Sequence, residues 1–209
     1  NYIETECFVS NPDGKGNIDL YVVSQSYYHE RKAAAAYCGV PEERINVHQT
    51  PLGGSFGGKE CHPVPALVAY ATFHMNRPVR LFLDRKDSNR FSTKRHPWFN
   101  EVTMAMDKDG RFLGYRNHMI SDGGAYKSFS PRVLPQGVSY ASGPYIIPNL
   151  DLVGRVMYTN NLTSGAMRGY GAPQTELAVE VAMDEMAHKL HMDPFAIRRI
   201  NGIHPGAES

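Results

Sequence analysis

The segment richest in chemical information is Gly53-Gly54-Ser55-Phe56-Gly57-Gly58-Lys59-Glu60. It follows a strand-forming stretch and precedes a helix-forming one, a setting in which backbone N–H groups can face an anion. Gly53 through Lys59 fit the first seven positions of a phosphate-binding loop. The eighth fails: Glu60 stands where a nucleotide hydrolase needs a Ser or Thr hydroxyl for magnesium, and its carboxylate repels phosphate oxygens. A phosphate-loop nucleotide-binding protein is therefore a weak alternative. A simple packing turn needs fewer glycines than the four that surround Phe56. The pattern suits backbone that approaches a large ligand closely, with Phe56 as the bulky wall.

A second strand-to-helix connection, Gly165-Ala166-Met167-Arg168-Gly169-Tyr170-Gly171-Ala172-Pro173-Gln174, supplies a cation, a planar ring and small residues before a helix N-terminus. That chemistry suits a polar, flat ligand. Taken alone, it reads more readily as a surface turn with Arg168 solvated and Tyr170 packed. His188 and His191 share a helix face, but with no third ligand nearby they read as surface histidines rather than a metal site.

The elements that must position these loops are legible as patterns. Asp19–Val23 reads as a strand and Tyr27–Tyr37 as a helix closed by Cys38-Gly39 and Pro41. Arg44–His48 is a second strand, running into the glycine loop, and Pro65–His74 a helix with prolines at its entrance. Val79–Leu83 is a third strand. Phe99–Met106 and Arg111–Ile120 form a hairpin about Asp107-Lys108-Asp109-Gly110. Leu152–Tyr158 is a further strand. Thr175–Leu190 places Val179, Met183, Met186 and Leu190 at helical spacing, and a short helix follows from Pro194 to Ile200. Strands in pairs and a hairpin between helices predict an α+β fold with mixed or antiparallel sheets and packed helices, in one domain or two small ones.

The 209 residues carry 22 basic and 21 acidic side chains, a net charge of +1, so no strong field draws the chain to nucleic acid or a membrane. The longest mostly apolar run, Val64 to Phe73, is too short to span a bilayer. Three widely spaced cysteines, Cys7, Cys38 and Cys61, argue against a disulfide framework, a zinc ribbon or an iron–sulfur cluster. They read as reduced thiols of a cytoplasmic protein. The start at Asn1 without methionine and the end at Gly206-Ala207-Glu208-Ser209 read as cuts in a longer polypeptide, a fragment or a split subunit spanning residues 1–209.

Taken together, the two loops resemble those of the molybdenum hydroxylases, the xanthine dehydrogenase/aldehyde oxidoreductase family. The segment 53–60 is similar to that family's cofactor loop, and Ala166 to Gln174 to its later Arg-Gly-Phe-Gly-type loop. Val23-Ser24-Gln25 looks like its Ser-Thr-Gln segment. Pro78-Val79-Arg80 with Asp84-Arg85, Arg95-His96-Pro97 and Pro148-Asn149 match in order, so the resemblance covers essentially the whole chain. It implies the first part of the molybdenum-cofactor-binding region of a large subunit, with the fold of that domain.

The resemblance implies that molybdenum is held by a molybdopterin, in pterin or dinucleotide form, and not by protein side chains. Gln25 is expected to hydrogen-bond an oxygen on the metal, and Gly54, Ser55, Phe56 and Gly57 to contact the cofactor, with the Phe56-Gly57 backbone beside an apical ligand. Arg168 is expected beside the cofactor, its main chain mattering as much as its guanidinium. Glu60 matches a carboxylate that grips the substrate ring in purine-oxidising members. Tyr170 matches a phenylalanine that stacks on the substrate, and its hydroxyl is a departure. Lys127 is the nearest match to an arginine of purine-oxidising relatives, and lysine lacks the planar fork, which counts against xanthine itself.

The implied reaction is hydroxylation of a carbon by water, on a purine-like N-heterocycle or an aldehyde. The family's general base lies in a Gly-x-Gly-Glu segment that this chain lacks. That base, the rest of the molybdenum-binding region, the iron–sulfur clusters and the FAD are therefore expected on other domains or subunits, and the isolated chain is expected to be inactive. The competing reading from another class is a non-catalytic interaction or scaffold domain of the same fold.

Overall fold

A computed structural model describes residues 2–60 and 62–206; Cys61, Asn1 and residues 207–209 of the sequence reading lie outside the described residues. The chain forms two compact units. The first runs to Arg95 and takes back Leu162–Arg168; the second holds His96–Asn161 and resumes at Gly169.

The first unit is built on a four-stranded sheet in the order β3-β2-β1-β4. Its strands are β1 (Cys7–Pro12), β2 (Ile18–Val22), β3 (Ile45–Gln49) and β4 (Val79–Phe82). β1 pairs antiparallel with β2 and β4, while β2 and β3 run parallel, joined through α1 (Tyr27–Cys38). Alternation decides which face is buried: Ile18, Leu20 and Val22 are all buried at period two. Against that face pack α1 and α2 (Val64–Met75), through Ala34 and Ala35 on one helix and Val68 and Ala69 on the other. The alanine run lets α1 lie close to its neighbours.

The second unit has a three-stranded sheet, β5-β6-β7, from Trp98–Met106, Phe112–Gly124 and Leu150–Tyr158. β5 and β6 form the expected antiparallel hairpin; β6 and β7 run parallel. Its core joins Phe112 and Tyr115 of β6 to Tyr145, to Val179, Met183 and Ala187 of the helix Ala172–Lys189, and to Ile197 of the helix Pro194–Asn201. The two mixed sheets with helices make the α+β class expected from the sequence.

Three elements had no legible signal. β1 is short and ends at Asn11-Pro12-Asp13-Gly14, which reads as a turn. The helix Arg85–Phe91 (α3) is polar up to its last residue, Phe91, and its start is set by Asp84, whose carboxylate accepts from the Asp87 N–H at 2.8 Å. The helix Ser130–Ser139 (α4) contains Pro131, Pro135 and Gly137, all helix breakers by propensity. Pro131 lies in the first turn, where no N–H bond is lost. Gly137 is required by packing: a Cβ there would lie 2.5 Å from the Trp98 ring and 3.2 Å from the Gly171 carbonyl oxygen. In chain order the last two helices are α5 (Ala172–Lys189) and α6 (Pro194–Asn201).

Asn201, buried at the end of α6, closes the second unit. Its Oδ1 accepts from the Phe112 N–H at 2.9 Å, and its Nδ2 donates to the carbonyls of Gly110 at 2.7 Å and Ile197 at 2.8 Å. One amide thus satisfies the hairpin turn and the helix end together. Asn201→Ala leaves a buried N–H and carbonyl without partners and is expected to lower the unfolding free energy by about 2–3 kcal/mol, read by urea denaturation of the chain.

Candidate functional site

Gln25 lies just beyond β2, its N–H donating to the Lys59 carbonyl at 3.1 Å. Its side-chain Oε1 accepts from the Gly57 N–H at 2.9 Å and from the Ser55 hydroxyl. Two donors on one oxygen fix the carboxamide, and its Nε2, a donor, takes no part in that anchoring. The loop is held elsewhere by Glu4 and by its own atoms. Gly53 N–H donates to Glu4 Oε2 at 2.9 Å, Lys59 N–H to Ser55 Oγ at 3.1 Å, Gly58 N–H to the Ser55 carbonyl and Glu60 N–H to the Gly57 carbonyl.

This corrects the expectation of backbone N–H groups facing an anion, since those of Gly53, Gly57, Gly58, Lys59 and Glu60 are taken inside the protein. The phosphate-loop alternative loses its lysine as well. Lys59 is 1% exposed, its ammonium 2.7 Å from Glu4 Oε2 and 4.8 Å from the centre of the Tyr2 ring. Burial works against the Glu4 carboxylate, but the Lys59 ammonium and the Gly53 N–H outweigh it and hold its carboxyl below the ordinary range.

The segment Leu162–Arg168 returns to this loop. Arg168 N–H donates to the Phe56 carbonyl at 2.8 Å, Arg95 Nη2 donates to the Arg168 carbonyl at 2.6 Å, and Gly165 N–H donates to the Lys94 carbonyl at 2.9 Å. Gly57 has φ +94°, and a Cβ on it would lie 2.9 Å from the Ala166 carbonyl carbon and 3.0 Å from the Met167 nitrogen. The missing side chain thus has a nearer cause than a clash with a cofactor ligand: two backbones meet there. Arg168's main chain is likewise engaged within the protein. Phe56, at φ +55°, stays 50% exposed. With Lys94, Arg95, Met167 and Arg168 it lines a cavity of about 510 Å³. The Lys94 ammonium turns back to Ser92 and to the Ser88 carbonyl, and burial lowers its pKa.

A buried polar layer underlies the loop. Glu30 of α1 is fully buried, its Oε1 3.1 Å from Ser24 Oγ. Burial pushes its carboxyl up to about 7, against the opposing Ser24 hydroxyl and His62 N–H. Burial likewise pushes His62 down to about 4, with Glu6 opposing. Glu6 in turn bonds to the Tyr2 hydroxyl, which lies 3.1 Å from Ser92 Oγ.

Gln25, Gly54, Ser55, Phe56, Gly57, Glu60 and Arg168 fall in the first unit; Lys127 and Tyr170 belong to the second. Tyr170 has φ +50° and is half-buried, its ring set edge-on to Phe129 at 6.5 Å between centres. Lys127 is exposed before α4, its carbonyl accepting from the Ser130 N–H. The sequence reading gave no task to Phe129, or to Lys94, Arg95 and Met167 as cavity walls. The basic pair Lys94-Arg95 was the available signal. Among the described residues no three His, Cys, Asp or Glu side chains are grouped to hold a metal ion, and no helix is long and apolar enough to cross a membrane.

The buried ion pair at the base of the loop gives a direct check. Glu4→Ala leaves the Lys59 ammonium without its counter-charge and is expected to cost about 1–3 kcal/mol, the lower end reflecting screening at a Glu4 side chain that is 38% exposed. Lys59→Met, which removes the charge at similar length, is expected to cost less in the same urea titration.

The model of the molybdopterin cofactor-binding domain family matches residues 1–202. The chain is 35% identical over 207 residues to the nicotinate dehydrogenase large molybdopterin subunit of Eubacterium barkeri, covering 99% of this chain and 49% of that protein. It is 33% identical over 208 residues to the xanthine dehydrogenase/oxidase of Gallus gallus, covering 98% and 15%. The aldehyde oxidoreductase structure from Desulfovibrio gigas superposes with a TM-score of 0.93 at 32% identity, over 100% of this chain and 23% of that one. The chain therefore spans half or less of these relatives' lengths. With a family match over nearly its whole length and the same fold in a solved relative, the chain belongs to the molybdopterin cofactor-binding domains of the molybdenum hydroxylases.

Proposed function

We propose that this chain forms the cofactor cradle and part of the substrate wall of a larger cytoplasmic molybdenum hydroxylase, one that oxidises an N-heterocycle or an aldehyde at carbon. The reading rests on one observation above others: Gln25, Gly57, Phe56 and Arg168 are locked into a single junction that leaves a carboxamide donor, an aromatic face and a guanidinium for a ligand. Packing accounts for Gly57 and for the Arg168 main chain, but it asks for neither the exposed Phe56 ring nor the guanidinium in the same cavity wall. The family of the chain supports it, and the donor set fits the group: the exposed Phe56 ring suits a flat pterin, and Arg168 beside Arg95 suits its phosphate.

When bound, the molybdenum cofactor supplies the two-electron oxidation that places an oxygen derived from water on the substrate carbon. The chain's own residues bind and orient. Gln25 Nε2 would offer the cofactor a hydrogen-bond donor, while Phe56 and Gly57 would set how closely the backbone approaches it. Glu60 holds a ring N–H of the substrate, and Tyr170, with Phe129 against its edge, offers a stacking face. Lys127 contributes charge at the substrate side. The general base, the iron–sulfur clusters and the flavin reside on other parts of the enzyme, with residues 1–209 as the first portion of its molybdenum-binding region.

Elemental analysis of the full-length protein tests the cradle: stoichiometric molybdenum is expected in the wild type. Gly57→Val is expected to lose most of it while also weakening the fold, because its side chain must part the 57 and 166–167 backbones. Molybdenum retained in Gly57→Val would remove the cradle.

Substrate choice is read separately. Glu60→Ala is expected to lower kcat/KM for N-heterocycles roughly ten- to a hundred-fold, the loss of a hydrogen bond to a charged group, and to leave aldehydes nearly unchanged. Equal losses for both classes would assign Glu60 to the loop instead.

A further inference from the structure

Glu30 is fully buried in the first turn of α1, and the proposed function gives it no task. It lies behind Ser24, the residue before Gln25. Three groups surround Ser24 Oγ, each 3.1 Å away: the Ser26 N–H, the Lys59 carbonyl and Glu30 Oε1. The N–H can only donate and the carbonyl can only accept. A hydroxyl has one proton to give. If Ser24 gives it to Lys59, the remaining neighbour must itself be a donor.

We propose that Glu30 is a positioning residue for Gln25, acting as a neutral carboxylic acid that donates its proton to Ser24 Oγ; its importance for catalysis rests on the reading of Gln25 as a cofactor contact. In that state Ser24 accepts from Ser26 and Glu30 and donates to Lys59, so all three neighbours of its hydroxyl are matched. The Lys59 carbonyl then receives both the Ser24 hydroxyl and the Gln25 N–H. The turn carrying Gln25 is thereby tied to the glycine loop on which its carboxamide leans.

The ionised alternative leaves two defects. Glu30 would take the Ser24 proton, so the Lys59 carbonyl would face a hydroxyl lone pair. Glu30 Oε2, buried without a hydrogen-bond partner, would also carry anionic charge. Facing the carboxyl are Ser24 from the end of β2 and the His62 N–H from the segment before α2. The Lys59 ammonium is directed to Glu4, while Glu6 and Lys94 act on the His62 ring. No cation pairs with Glu30 among the described residues. The first turn of a helix favours an anion, but burial prevails and holds the carboxyl at about 7.

The sign of the pH effect follows. A carboxyl raised in the folded state contributes stability that is full below the ordinary glutamate range and is lost as pH rises through about 7. Amide hydrogen exchange of the full-length protein, followed by mass spectrometry on peptides holding residues 24–26 and 55–60, reads the tie directly. After correction for base-catalysed chemistry, wild-type exchange there is expected to speed up about tenfold between pH 6 and 8, as the ionised fraction grows. Glu30→Gln keeps a donor and cannot ionise, so it is expected to stay slow at both pH values; Glu30→Leu is expected to be fast at both. A flat wild-type profile, or Glu30→Gln as fast as Glu30→Leu, overturns the proposal. Wild-type molybdenum content judges the proposed function separately, because the exchange comparison needs no bound cofactor.

Discussion

The 2.8 Å hydrogen bond from the Arg168 N–H to the Phe56 carbonyl is the contact on which the candidate site depends. It joins the glycine loop to a segment far downstream in the sequence. It works only because Gly57 has no side chain, which lets the Ala166–Met167 backbone lie against it. Arg95 then closes the junction from the far side by donating to the Arg168 carbonyl. Once main chain is committed in this way, what remains for a ligand is side-chain chemistry: one ring, one carboxamide and the guanidinium that the junction leaves in the cavity wall.

That arrangement separates this loop from a phosphate loop of similar composition. A phosphate loop keeps its N–H groups for the ligand; here Gly53, Gly57, Gly58, Lys59 and Glu60 give theirs to Glu4, Gln25, Ser55 and the loop's own carbonyls. The lysine that would reach a phosphate is instead buried under the loop against Glu4 and the face of Tyr2. The cost of burying its ammonium is offset by that carboxylate and by the ring. Similar glycine spacing thus supports two chemistries, and the side chains within hydrogen-bonding reach decide between them.

Much of the fold was legible because its signals are local. Ile18, Leu20 and Val22 alternate as a half-buried strand must, and Val179 and Met183 recur at helical spacing, so β2 and α5 could be read directly. α4 could not, because Pro135 and Gly137 read as helix breakers, and Gly137 is explained only by Trp98 and the Gly171 carbonyl, which tertiary packing brings near. The site divides in the same way. Gln25, Phe56, Gly57 and Arg168 were named from motifs, but the bonds among them span long stretches of sequence. Arg95 entered only as part of Arg95-His96-Pro97 and Phe129 not at all, because neither residue shows its task until the fold gives it neighbours.

The first unit is not continuous in sequence: its last segment, Leu162–Arg168, is made only after the strands and hairpin of the second unit. On a ribosome adding roughly 5–20 residues per second, the glycine loop therefore leaves the tunnel several seconds before the backbone it must meet. During that interval the Phe56 carbonyl lacks its Arg168 partner and the groove beside Gly57 stands open to water. The sheet and helices of the first unit can form early, but the cradle cannot. Formation of the site thereby waits until the strands of the second unit have been made.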